Sequence, residues 1–138
     1  MEADAYWRLL GPGDLEHGGC CISATLRDYG RIGLLALREG VSANGLHLLP
    51  NGWIAASTSP APTNTGYGYL WWLSGSRGQY AAWGTFGQYI YIDPRNQVVI
   101  VLNSLWPRAL GLESHRTAFL EAMVRTVTSG DGFVPASN

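Results

Sequence analysis

The side chains that could carry covalent chemistry in this 138-residue chain are its serines, its two cysteines and its three histidines. No serine stands in a Gly-x-Ser-x-Gly elbow or a Ser-x-x-Lys motif, the two local settings that expose or activate a serine nucleophile. Ser104 follows a predicted strand but has no obvious base beside it. The histidines, His17, His47 and His115, lie in three separate segments, which favours surface or capping roles over the base of a catalytic triad.

The basic residues are nine arginines, and the sequence contains no lysine. This count excludes mechanisms that need a lysine as Schiff-base former, general base or P-loop phosphate ligand. The formal net charge of -1 offers no basic surface to phosphate groups, so we expect neither a nucleic-acid partner nor a membrane partner. The chain begins Met-Glu-Ala-Asp without a basic, apolar leader, which predicts a soluble, cytoplasmic protein.

Metal-binding and redox motifs are also missing from the sequence. Cys20 and Cys21 are adjacent, a spacing that fits neither a CxxC redox pair nor a zinc knuckle, and His17 brings no second ligand pair. The ten acidic residues are scattered and show no evident carboxylate pair for glycoside chemistry. We therefore expect no metal site and no cofactor.

The composition, 46% hydrophobic and 14% charged, is typical of one globular domain, which we place at residues 1–130 with a disordered tail at 131–138. The first 22 residues are predicted to be irregular because glycine and proline interrupt them. A helix is predicted from an N-cap at Thr25, with Asp28 reaching back toward the free amides, to a stop at Gly40. A short second helix is predicted to open at Pro50, and residues 57–65 to form a loop.

Alternating aromatic and apolar residues predict strands in the second half of the chain. They cover residues 67–73, then 80–85 continued by 88–92 past Gly87, then 97–103 after a turn at 93–96. A closing helix over 112–128 offers an apolar arc to one sheet face: Leu112, Phe119, Leu120, Met123, Val124 and Val127. The predicted fold class is α+β, an antiparallel meander of about three strands packed against a C-terminal helix, with helices preceding it.

Four ordered segments resemble the β-lactamase-related serine hydrolases, which include class C β-lactamases, penicillin-binding carboxypeptidases, esterases and 6-aminohexanoate-dimer hydrolase. Residues 84–94 with 98–101 are similar to the hairpin at the edge of the family's active site. Residues 19–35 resemble its Thr-x-x-Asp helix, 48–54 the helix that follows, and 2–7 the segment before it. The resemblance runs from about residue 2 to 128 and implies a partial β-lactamase/transpeptidase-like fold.

The family attacks its substrate with the serine of a Ser-x-x-Lys motif, assisted by a tyrosine. Both motifs precede the part matched here, and only the glycine of the third motif agrees, at Ala82-Trp83-Gly84. The resemblance implies that the backbone N–H of Thr85 is an oxyanion donor and that Trp83, Gly84 and Phe86 contact substrate. It implies a small acyl substrate for the parent enzyme and the missing N-terminal part as a complement.

Two hypotheses follow. In the first, the chain is the C-terminal part of such a hydrolase, inactive alone for want of a nucleophile, and prone to oligomerise because sheet and helical cover are missing. In the second, it is an autonomous binding module for a sugar or an acyl chain. That module would use an aromatic platform of Tyr67, Tyr69, Trp71, Trp83, Tyr89 and Tyr91.

Overall fold

The computed structural model describes residues 1–74 and 78–129; the predicted tail and the centre of the turn predicted at 74–78 lie outside these ranges. Its elements, in chain order, are β1 (Tyr6–Trp7), β2 (Ile22–Ser23), α1 (Leu26–Leu37), α2 (Trp53–Ser57), β3 (Trp72–Ser74), β4 (Gln79–Trp83), β5 (Gln88–Asp93), β6 (Val98–Asn103) and α3 (Glu113–Thr128). No helix within the described ranges is long and apolar enough to cross a membrane.

The central sheet is an antiparallel meander in the order β3-β4-β5-β6. This confirms the α+β class and the closing helix. The sheet has four strands rather than about three, because residues 80–92 do not form one continued strand: they fold back on themselves, so that Tyr80 pairs with Ile92 and Trp83 with Tyr89. The sequence could not distinguish a bulged strand from a hairpin at this point.

The aromatic run at 67–73 is mostly a turn, which corrects the predicted strand. Only Trp72–Ser74 pairs in the sheet, while Tyr67 bridges directly to Trp72. Gly68 donates its N–H to the carbonyl of Trp71 at 2.8 Å, and Leu70 has a positive φ of 65°. A chain that reverses within five residues cannot present its alternate side chains on one face.

The N-terminal segment carries a short ladder where irregular structure was predicted. β1 and β2 pair antiparallel through two residue pairs, and the indole N–H of Trp7 donates to the carbonyls of His17 (3.2 Å) and Cys20 (3.1 Å). Tyr29 of α1 donates its hydroxyl to the carbonyl of Ile22 at 2.6 Å. Two-residue strands leave no periodicity to detect, so the ladder is invisible in the sequence.

Helix α1 covers one face of the sheet at close range. A Cβ built on Gly33 would lie 2.5 Å from Val99 Cγ1 and 3.0 Å from Ile90 Cγ2, so the missing side chain sets the approach of helix and strands. Tyr80 donates its hydroxyl to the carbonyl of Ala36 at 3.2 Å across the same contact. The core lies here and comprises Ala36, Ile54, Tyr80, Ile90 and Ile92.

The ends of α1 follow the capping pattern predicted for them. Thr25 is the N-cap and its hydroxyl accepts the N–H of Asp28 at 3.2 Å. At the other end Glu39, with φ 54°, donates to Ala36 O and Gly40 donates to Leu35 O, the two bonds of a Schellman motif. The first left-handed residue is therefore Glu39, one position before the glycine predicted for it.

The carboxylate of Asp28 is fully buried and ties the N-terminus to α1 instead of reaching the capping amides. It accepts the backbone N–H groups of Glu2 (2.7 Å) and Ala3 (3.2 Å), the Thr25 hydroxyl (2.9 Å) and the Arg31 guanidinium (2.9 Å). Burial alone would raise the pKa of Asp28, but these hydrogen bonds outweigh it and lower the pKa to about 2.

The two remaining helices differ from expectation in detail. Helix α2 begins at Trp53, after Gly52 in the left-handed region (φ 77°), while Pro50 stands in the preceding turn. Helix α3 has the predicted extent, but most of its apolar arc is not covered. Leu120 is buried, whereas Phe119, Met123 and Val127 are 46%, 38% and 57% exposed.

The approach of α1 to the sheet can be tested with two glycines of that helix. Gly33→Ala must displace Val99 and Ile90, whereas a Cβ at Gly30 meets nothing within 4 Å. Gly30→Ala should raise the free energy of unfolding by about 1 kcal/mol through helix propensity. Gly33→Ala should lower it by about 1–3 kcal/mol relative to Gly30→Ala, measured by urea denaturation, because overpacking outweighs propensity. Equal effects would contradict the packing described.

Asp28 predicts acid sensitivity of the folded state. Its pKa is about 2 in the fold and about 3.9 in an unfolded chain. Its stabilisation is therefore complete above about pH 4 and is lost as the pH falls toward 2. Asp28→Asn should lower stability at pH 7 and flatten the dependence of the unfolding free energy on pH between 4 and 2, followed by denaturation at each pH. An unchanged slope would show that other carboxylates cause it.

Candidate active-site cleft

The largest cleft of the described structure has a volume of about 750 Å³ and joins parts of the chain distant in sequence. Its walls are the segment around β2, Tyr29 of α1, the β4–β5 hairpin and the end of β6. Trp83, Gly84, Thr85 and Phe86, the candidate site residues from the sequence, all line it. Their catalytic and substrate-binding roles stay predictions.

The hairpin turn at 84–87 leaves one backbone donor free. Gly84 donates to Gln88 O (2.8 Å) and Gly87 donates to Gly84 O (3.1 Å). Thr85 and Phe86 have negative φ and Gly87 has φ 89°, the pattern of a type I turn with a glycine bulge. The N–H of Phe86 is held by Gln88 Oε1 at 3.2 Å, whereas no acceptor for the N–H of Thr85 lies among the described residues.

The segment after β6 passes beneath this turn and holds it in place. Trp106 donates its N–H to Phe86 O (3.0 Å) and Leu110 donates to Thr85 O (3.2 Å). The indole of Trp106 packs directly on the backbone of Gly87, where a Cβ would overlap it. Gly87 therefore serves both the left-handed turn position and the close approach of an aromatic ring.

Below the hairpin, the guanidinium of Arg116 lies among three aromatic rings. Its central carbon is 4.2 Å from the Tyr89 ring centroid, 4.4 Å from that of Trp83 and 5.5 Å from that of Trp106. Burial raises the pKa of Tyr89, and the positive charge of Arg116 opposes that rise. Trp83 thus contacts both the cleft and the helix–sheet contact.

The described part of the cleft contains no assembled nucleophile and base. Ser23 and Ser104 line it, but neither forms a hydrogen bond to a histidine within the described ranges. The structure joins Cys20 and Cys21, also in the lining, as a disulfide, with His17 Nδ1 3.7 Å from Cys20 Sγ. No cluster of three or more metal-ligating side chains occurs in the described residues.

The aromatic residues proposed for a binding platform are divided between the two sheet faces. Trp71 packs edge-on against Tyr80 at 5.1 Å and belongs to the layer beside α1. Trp83 and Tyr89 lie under Arg116 on the α3 side, and Tyr69 lies beside Trp53 in the turn region. The binding-module hypothesis stays a prediction.

Arg116 was missed by the sequence analysis, although the sequence carries a signal for it. The residue lies four positions after Leu112 and four before Leu120, within the apolar arc assigned to the closing helix. A charged residue inside an apolar helix stripe must be exposed or receive special neighbours when the helix packs. Which aromatic rings would surround it depended on the tertiary fold.

Comparison with known proteins agrees with this architecture. The family profile described as Beta-lactamase matches residues 2–118. The 6-aminohexanoate-dimer hydrolase of Paenarthrobacter ureafaciens is 34% identical over 62% of this chain and 25% of its own length. The structure of a Bacillus anthracis protein assigned as a 6-aminohexanoate-dimer hydrolase has a similar fold, with a TM-score of 0.72 at 24% identity over 91% of this chain.

The fold and the family match define a β-lactamase-related hydrolase scaffold, as the sequence predicted. The chain belongs to the Beta-lactamase family. It spans about a quarter of the curated relative and 34% of the structural neighbour. It therefore contains a part of the family's architecture, the part that forms the β4–β5 hairpin and its supporting helices.

The contact between Gly87 and Trp106 predicts how the hairpin responds to a methyl group. Gly87→Ala should cost about 1–2 kcal/mol for the left-handed backbone, and about 1–3 kcal/mol more because the methyl group displaces Trp106. Gly45→Ala is the matched control, because Gly45 has φ 78° with open space around its Cβ. Thermal denaturation of both variants should separate the two costs; identical losses would exclude the indole contact.

Proposed function

We propose that this chain is the C-terminal part of a serine acyl hydrolase and supplies one donor of the oxyanion hole. The observation that carries the proposal is the unpaired N–H of Thr85, in a turn on the wall of the 750 Å³ cleft. The sequence has no Ser-x-x-Lys motif and no lysine, so the nucleophile must come from elsewhere. The chain is therefore inactive alone.

The chemistry assigned to Thr85 is stabilisation of a developing negative charge. When a serine attacks an ester or amide carbonyl, the carbonyl oxygen becomes an oxyanion, and an N–H aimed at it stabilises the transition state by about 3–4 kcal/mol. In the resembled family the second donor is the amide of the nucleophile itself. Gln88 supports the arrangement because it occupies the neighbouring N–H of Phe86 and keeps the turn rigid.

The substrate class is an ester or amide of a small acyl group. The relative from Paenarthrobacter is named for a linear amide dimer, and this name makes such amides the first substrates to test. Trp83, Gly84 and Phe86 lie around the Thr85 donor and would contact the acyl group. No metal or cofactor has a part in this proposal.

The complementary part would dock against β6. This strand lies at the edge of the sheet, so its outer backbone groups have no neighbouring strand within the described ranges. Its sequence, Val-Val-Ile-Val-Leu-Asn, is uncharged and apolar on both faces, unlike edge strands that proteins protect with charge or proline. A strand of the absent N-terminal part is the partner we propose for it.

Complementation tests the proposal. The purified chain should hydrolyse neither nitrocefin, p-nitrophenyl esters nor linear amide dimers. Co-expression with the unmatched N-terminal part of the Paenarthrobacter hydrolase should produce hydrolysis above the level of that part alone. Thr85→Pro should then reduce kcat by about 10²–10³-fold, because it removes the donor while proline remains compatible with the second position of a type I turn.

Thr85→Ala is the matched control because it keeps the N–H and removes only the side chain. It should retain the complemented activity. Turnover by the chain alone would overturn the assignment of a missing nucleophile. Equal activity of the proline and alanine variants would overturn the role of the Thr85 amide.

A further inference from the structure

Arg116 is a buried cation whose hydrogen-bonding capacity is largely unused. Its side chain is 9% exposed, and its Nε and Nη1 atoms have no acceptor in the described structure. The indole Nε1 of Trp83, whose ring lies 4.4 Å from the guanidinium, has none either. The cluster therefore contains three buried donors and no oxygen acceptor.

The aromatic rings compensate the charge of Arg116 but not its hydrogen bonds. Ring faces attract a cation through their quadrupole, whereas N–H donors that point at no oxygen remain under-satisfied. The nearest acid does not take this role: the carboxylate of Glu113 accepts the N–H of Gly111 through both oxygens, at 3.0 and 2.9 Å, and makes no ion pair with Arg116 within the described residues.

A cavity beside the guanidinium has the size and lining of a small-ligand site. Its volume is about 290 Å³, near the lower end of ligand pockets. Arg116 lines it together with four apolar and two polar residues: Leu102, Trp106, Leu112, Phe119, Ser104 and His115. The hydroxyl of Ser104 and the ring of His115 can each donate a hydrogen bond to an anion held against Arg116.

We propose that this cavity binds a small monocarboxylate with an apolar chain. A carboxylate supplies the acceptor oxygens that the donors of Arg116 lack and can pair with a guanidinium through two parallel bonds. One negative charge balances the one cation, and the apolar lining accommodates a short hydrocarbon chain. A phosphate or a dicarboxylate would leave excess charge in an apolar pocket.

The proposal is independent of the acyl-hydrolase assignment. The cavity shares Leu102 and Ser104 with the large cleft, but its cation lies on α3 and Thr85 does not line it. A carboxylate bound here would anchor a molecule next to the cleft, whether that molecule is a substrate, a product or a regulator. Binding requires only the folded chain, without a nucleophile.

Titration of the full chain with hexanoate, hexanol and hexylamine tests the proposal, with tryptophan emission and calorimetry as readouts. Hexanoate should bind saturably and change the emission, because Trp83 and Trp106 lie against the guanidinium. Hexanol and hexylamine should bind at least about tenfold more weakly, since they cannot make the charge-assisted bonds. Equal binding of the three would overturn the proposal, as would no binding of hexanoate.

Variants locate the site. Arg116→Met should weaken hexanoate binding at least about tenfold, while Arg125→Met, at an exposed position of the same helix, should leave it unchanged. Leu112→Trp keeps the guanidinium but fills the cavity, so it should also abolish binding and keeps the test decisive if Arg116→Met does not fold. Unaltered affinity in Leu112→Trp would place the ligand elsewhere and refute the assignment.

Discussion

The contact of Arg116 with Trp83, Tyr89 and Trp106 joins four parts of the chain at one point. The guanidinium comes from α3, two rings come from β4 and β5, and the third comes from the segment after β6. Desolvated cation–π contacts are worth about 2 kcal/mol or more. One side chain therefore fixes the helix on the sheet and the segment that supports the hairpin.

The two faces of the sheet are stabilised by different physics. On the α1 side, Gly33 brings helix and strands into close contact, and the core around Ile92 excludes water completely. On the α3 side, Leu120 and the Arg116 contact bear the packing, and a stripe of Phe119, Met123 and Val127 stays exposed. The α1 layer has the character of a finished core, whereas the α3 layer retains apolar surface beside the free edge of β6.

The sequence predicted the elements whose signals are local. The N-cap at Thr25, the uninterrupted apolar run of β6 and the extent of α3 each rest on residues close together in the chain, and the structure confirms them. The placement of residues 81–87 on a cleft followed from resemblance rather than from pattern. Propensity alone assigns strand to residues on both sides of Gly84 and Gly87, and only the pairing of β4 with β5 reveals a reversal.

Long-range contacts account for what the sequence could not predict. Asp28 fits the pattern of a helix-capping acid, yet its carboxylate binds the backbone of residues 2 and 3, which only the fold brings near. Trp106 and Arg116 follow the recognised hairpin by about twenty to thirty residues, and their relation to it depends on the path taken after β6. Tertiary contact overrides the periodic signal at each of these positions.

The geometry of the Thr85 donor follows from the turn itself. In a type I turn the N–H of the second residue is unpaired by construction, and the hydrogen bonds of Gly84 and Gly87 close the turn around it. Trp106 then holds the turn against the sheet from within the same chain. The donor is thus complete in this part of the family's architecture, and what a complement must contribute is the nucleophile with its base and a strand for the open edge of β6.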